Sequence, residues 1–121
     1  MKQERSDQFS FIPPGSFQPK KSNIFVTNER NYDLESARRF LKNGGKFVNL
    51  TDGTVGIFRT QELLDVIREK IKDVGPEDWL LISGSGIVSA LAVKALSERF
   101  PKIRLLIWDA VQRSYKTRII N

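Results

Sequence analysis

The sequence predicts an α/β fold: a Rossmann-like three-layer sandwich on a mostly parallel sheet of order 2-1-3-4-5, with an antiparallel edge strand. Three observations carry this expectation. Uncharged β-branched or apolar runs alternate with segments of helical periodicity in the order β-α-β-α-β-α-β-β, the pattern of a parallel sheet covered on both faces. Two of the runs, Trp79-Leu80-Leu81-Ile82 and Leu105-Leu106-Ile107-Trp108, are apolar throughout, as strands buried on both sides are. Finally, 121 residues with 40% apolar and 28% charged side chains suit one globular domain.

The elements follow in order. Residues 1–22 read as an extended arm. Pro13, Pro14, Gly15 and Pro19 keep it out of helices and central strands, while Phe9, Phe11, Ile12 and Phe17 are too apolar for a purely disordered tail. The α/β domain is expected over 23–121. Asn23 to Thr27 forms the first strand. A helix capped within Asn31-Tyr32-Asp33 places Leu34, Ala37, Phe40 and Leu41 on one face and ends at Gly44-Gly45. Lys46 to Leu50 is the second strand, closed by the Asp52-Gly53 turn.

Thr60 is expected to cap the next helix, with Glu62 at the positive end of its dipole and Leu63, Leu64, Ile67, Ile71 and Val74 as its apolar stripe. Gly75-Pro76 stops it. Trp79 to Ile82 is the third strand, followed by Ser83-Gly84-Ser85-Gly86 and a helix from Ile87 to Phe100 that Pro101 ends. Ile103 to Trp108 is the fourth strand, and Tyr115 to Ile120 returns antiparallel as the fifth.

Composition excludes several chemistries. With no Cys and no His there is no disulfide, no Cys/His zinc site, no thiol nucleophile and no Ser-His-Asp triad. No metal or cofactor is expected. No run approaches a membrane span, and the opening MKQERSDQFS lacks the apolar core of a signal peptide, so a cytoplasmic protein with no membrane partner is expected. The net charge of +6 is terminal: residues 1–22 carry +2, residues 23–98 carry −1 and residues 99–121 carry +5. Such a gradient reads as a local field for an anionic partner, or as cationic protection of a sheet edge.

In a doubly wound sheet, ligands bind beyond the carboxyl ends of the strands where strand order reverses. With order 2-1-3-4 that point lies between the first and third strands. The candidate ligand-binding residues are therefore Thr27, Asn28 and Arg30 after the first, Ser83, Gly84, Ser85 and Gly86 after the third, and Asp109 after the fourth. Two glycines allow close backbone approach, with positive φ expected at Gly84 or Gly86. Two hydroxyls add hydrogen bonds and a helix begins there, a combination that suits a phosphate. A small Gly/Ser turn also simply makes a tight strand-to-helix connection. The turn is not a P-loop, since Ile87 and Val88 stand where Lys and Ser/Thr are needed. It is not GxGxxG either, because Ser89 replaces the last Gly. The expected partner is an anionic, nucleotide-like small molecule.

The run from Asp78 through Ser83-Gly84-Ser85-Gly86, the apolar helix after it, and Ile107-Trp108-Asp109 with its hairpin resemble the strand-turn-helix motif of CRISPR-associated Rossmann-fold (CARF) domains over residues 78–121. The resemblance implies a dimeric sensor, sponge or metal-independent ring nuclease for a cyclic oligonucleotide. Members usually carry a Gly-Gly turn flanked by Lys or Arg, which this sequence lacks. Two alternatives belong to other classes. A nucleic-acid-binding accessory protein would use Arg113, Lys116 and Arg118 on phosphates and Tyr115 for stacking. A structural adaptor would act through the arm.

The helix from Ile87 carries only a narrow polar stripe of Ser89, Lys94, Ser97 and Glu98, too little for a face in water. The aromatic arm or a second copy is expected to cover it, giving a homodimer or larger homo-oligomer.

Overall fold

The computed structural model describes residues 20–27, 33–51, 55–83 and 86–121. Most of the expected arm, the Asp52-Gly53 turn and the candidates Asn28, Arg30, Gly84 and Ser85 lie outside the described residues. The elements are β1 (Ile24–Val26), a 3-10 helix (Glu35–Phe40), β2 (Phe47–Asn49), α1 (Thr60–Lys70), β3 (Trp79–Ile82), α2 (Gly86–Ser97), β4 (Ile103–Asp109) and β5 (Ser114–Ile120). They build one five-stranded sheet of order β2-β1-β3-β4-β5. The first four strands are parallel and β5 is antiparallel to β4. The α/β class and the strand order are as the sequence predicts.

Burial alternates along the strands. Phe25, Leu80, Ile103 and Leu105 point to one face, where they pack with Leu63, Leu64 and Ile67 of α1 and Val88, Ala92, Ala95 and Leu96 of α2. Ile24, Val26, Leu81, Leu106 and Tyr115 point to the other, where Ala37 lies over them with Leu34 and Phe40 at its flanks. The first apolar run is explained by this: Leu80 and Leu81 are both buried, on opposite faces. In the second, Leu105 and Leu106 are buried in the same way, but Ile107 is exposed, because only the edge strand β5 lies beyond it. Each such side chain stabilises the fold by about 1.5–3 kcal/mol. The two α-helices thus share one face, joined at their outer side by the forked Arg68–Glu98 ion pair at 2.7 and 3.1 Å.

Among the described residues, the opposite face has a thinner cover. The helix expected after Asn31 is a single six-residue 3-10 segment. Its three-residue repeat (Leu34, Ala37, Phe40) suits 3-10 geometry, in which such positions eclipse. Asp33 takes the N–H of Ser36 at 3.1 Å and its hydroxyl at 2.6 Å. The segment cannot continue because Lys42 turns back to pair with Ser22 (3.1 and 3.3 Å). The reversal needs its glycines: Gly44 has φ +83, and a Cβ on Gly45 would stand 1.9 Å from the Ser22 carbonyl oxygen.

One capping expectation is corrected. Thr60 is the first helical residue of α1 rather than its cap, and Arg59 at the cap position pairs through its side chain with Glu62 at 2.5 Å. At the amino edge of the sheet, Asp78 does what a cap does elsewhere. It accepts the N–H groups of Asn23 and Gly75, each at 2.8 Å, and so joins the starts of β1 and β3.

Candidate functional site

The carboxyl edge of the parallel strands is organised around Thr27 and Ser83. Thr27 follows β1, is fully buried, and donates its hydroxyl to the Ser83 carbonyl at 2.6 Å while accepting the Ser83 N–H at 2.9 Å. Thr27 also gives its own N–H to Leu81 (3.1 Å). These bonds hold the ends of β1 and β3 together at the point where strand order reverses. A β-branched residue with a hydroxyl suits this place, since it packs like Val and satisfies two backbone groups. The Thr27 hydroxyl is therefore engaged with backbone.

Gly86 opens α2 directly beyond this tie. Its φ is not positive, which leaves the expected positive φ to Gly84, outside the described residues, and a Cβ on Gly86 would meet nothing within 4 Å. Its backbone is ordinary helix facing open space. Asp109 ends β4, and its Oδ1 accepts the N–H groups of Val111 (2.9 Å) and Gln112 (3.1 Å). Its first task is to shape the β4–β5 turn, which Arg113 closes with φ +52.

The cations of the carboxy-terminal segment do not act as one field. Arg99 donates to the carbonyls of Ile71 and Val74. Arg104 lies 3.8 Å from the Trp79 ring centroid and 3.8 Å from Glu77. Both belong to the amino edge of the sheet. Lys116 and Arg118 stand apart from them. Lys116 is opposite Ile107 and Arg118 opposite Leu105, so both project on the side of the sheet that carries the α-helices. They line a recess of about 340 Å³ with Ile107, Trp108, Asp109 and Ala110. Neither has a carboxylate partner among the described residues.

Tyr115 goes the other way. It is 3% exposed and meets Trp108 edge-on at 5.0 Å within the second core cluster, so it offers no stacking surface. Burial, and then the charge of Asp33, hold its phenol above the ordinary tyrosine range. The structure thus brings Asp109 together with Lys116 and Arg118, residues that the sequence assigns to two separate candidate sites. The signal was present in the two-residue alternation of β5, which puts 116 and 118 on one face and 115 on the other. A second recess, about 30 Å³ at the amino edge between Gly75, Asp78 and Arg104, has room for a single water.

Large exposed apolar side chains also collect near the carboxyl edge. Phe58 is 92% exposed and Val111 90%. No group of three or more metal-ligating side chains occurs among the described residues, and no helix among them is long and apolar enough to cross a membrane.

Sheet, helices and edge recess define a small α/β domain with a cationic recess at the carboxyl ends of its strands. Residues 16–121 match the family of phage Pam3 gp32-like proteins, and the chain belongs to that family. No curated protein and no solved structure matches it.

Proposed function

We propose that this chain is a Rossmann-like three-layer domain of the cytoplasm that binds a phosphate-bearing ligand, a nucleotide or cyclic oligonucleotide, at the carboxyl edge of its sheet. The thin 3-10 segment stands as the second outer layer. One observation carries the reading: Lys116 and Arg118, without carboxylate partners among the described residues, line a recess of about 340 Å³ beside Asp109. A cation pair in a concave site favours an anion, and Arg in particular matches phosphate geometry. Supporting features are the start of α2 at Gly86, with open space above it, and the Thr27–Ser83 tie, which makes the strand ends a rigid base. The resemblance of residues 78–121 to CARF domains favours the oligonucleotide class and a sensor, sponge or ring-nuclease role.

Nucleic-acid binding along the hairpin is the second reading. It keeps Lys116 and Arg118 for phosphates but loses Tyr115 to the core.

A thermal-shift screen with mononucleotides, dinucleotides and cyclic oligonucleotides tests the first reading. A ligand at a hundred times its Kd adds about 2.7 kcal/mol to native-state stability. The expected result is a shift with one phosphate-bearing class that Arg118→Glu abolishes. No shift with any class, or an equal shift in the variant, overturns it.

A further inference from the structure

β5 is the last strand of the sheet. All seven of its residues pair with β4 without a bulge, and among the described residues no strand pairs with its outer edge. It contains no Pro or Gly, and Ile119 is 57% exposed. Natural edge strands are usually short, kinked, covered or guarded by charge; β5 is long and regular, and Lys116 and Arg118 are its only guard, one that an acidic strand would turn into attraction. The Tyr115 carbonyl accepts from the Arg39 guanidinium at 3.3 Å, which marks Tyr115 as a residue whose backbone faces outward. Inward and outward groups alternate along an antiparallel strand. Thr117 and Ile119 therefore present the next outward groups. Among the described residues both N–H groups and the Ile119 C=O are open, while the Thr117 C=O accepts the Arg118 guanidinium at 2.6 Å, a contact that an acid on an incoming strand would replace.

We propose that this edge docks an extended segment of a partner protein, in which acidic and apolar residues alternate, as a sixth strand. The side chains of β5 specify that pattern. On the helix side, Lys116 and Arg118 lack carboxylate partners among the described residues, and acids on the incoming strand would stand beside them. On the other side, Thr117 and exposed Ile119 would meet its apolar residues. Main-chain bonds supply affinity in such strand addition and the alternate side chains supply selectivity. A second copy of this chain is the wrong occupant. Two-fold antiparallel pairings centred on residue 116, 117 or 118 put Lys116 or Arg118 directly opposite another cation, which destabilises a sheet. A nucleic acid would answer the charges but leave the outward N–H groups without a strand to bond. The proposal rests on the strand edge and does not depend on a ligand in the recess, although Lys116 and Arg118 serve in both.

The test uses the full chain and a fluorescent, end-capped seven-residue peptide of alternating Glu and Val, followed by anisotropy. Saturable binding is expected, with none for the peptide of alternating Lys and Val. Thr117→Pro removes an outward N–H, a place where an edge strand tolerates proline, and should abolish binding. Lys116→Ala with Arg118→Ala should weaken it about tenfold. Should Thr117→Pro fail to fold by circular dichroism, the same Glu/Val peptide N-methylated at alternate residues decides the question on the unaltered chain. It keeps the side chains and loses the edge donors, so it should not bind. The proposal is overturned if the unaltered chain ignores the Glu/Val peptide or binds the N-methylated form equally well. Self-association that Thr117→Pro abolishes would overturn it too, because a second copy would then be the occupant. A nucleotide-induced thermal shift should survive Thr117→Pro, so this proposal and the ligand reading fail separately.

Discussion

The Thr27 hydroxyl bonds both backbone groups of Ser83, donating to the carbonyl at 2.6 Å and accepting from the N–H at 2.9 Å. Both residues are buried. This one side chain links β1 to β3 where the sheet changes direction, and any ligand at the carboxyl edge would rest on that junction. A hydrogen bond that satisfies a buried N–H matters mainly through the cost of leaving the group unpaired.

Thr27→Val keeps the shape and removes the hydroxyl. It should destabilise the domain by about 2 kcal/mol, a fall in Tm of roughly 8 °C, whereas Thr27→Ser keeps the tie and should cost less. Urea unfolding of the three proteins measures this, and equal midpoints for Val and Thr would show that the tie contributes nothing.

Tyr115 makes stability depend on alkaline pH. Its phenol titrates above the ordinary value in the folded protein because of burial, with Asp33 adding to the effect. An unfolded tyrosine ionises near pH 10. The contribution is complete below that pH and is lost as pH rises through the higher folded value, since the unfolded chain releases its proton first. Denaturant unfolding above about pH 10 should therefore show a steeper loss in the native sequence than in Tyr115→Phe. Parallel curves would refute it.

If a phosphate sits in the recess, Arg118→Ala should weaken nucleotide binding by about tenfold or more, the scale of a hydrogen bond to a charged group. Lys102→Ala, at the opposite edge of the sheet, should leave it unchanged. Isothermal titration with the nucleotide class found by thermal shift reads both. Equal losses in the two variants would mean a general charge effect with no site.

The self-association expected from α2 meets a changed picture. Val88, Ala92, Ala95 and Leu96 are buried, and Ile87, Leu91 and Val93 are partly buried against the same core, so the fold itself covers much of this helix. What remains outward is Gly86, Ala90, Lys94 and Ser97, a small-residue surface that another chain could approach. We predict a homodimer by light scattering at high micromolar concentration that Ala90→Arg or a start at Ser22 converts to monomer. A monomer for the full chain ends the idea.

The order of elements, the parallel sheet and the buried central strands were legible in the sequence because they rest on local periodicity. Leu80 and Leu81 had to be inside on both faces whatever the rest of the chain did. The sites were less legible, because they depend on which strand ends meet. Gly86 looked like a turn glycine and is ordinary helix. The 3-10 segment looked like a full helix because three-residue spacing is common to both, and only the pairing of Lys42 with Ser22 shortens it. Lys116, Arg118 and Tyr115 looked like one basic patch along the chain. Strand pleating sends the two cations to the helix side and the phenol into the opposite core. By itself the sequence determined the α/β class and the terminal placement of charge, which are properties of near neighbours. The Thr27–Ser83 tie, the company that Asp109 keeps with Lys116 and Arg118, and the place of β5 at the end of the sheet were decided by tertiary structure alone. Each depends on sheet order and register, which only long-range pairing sets.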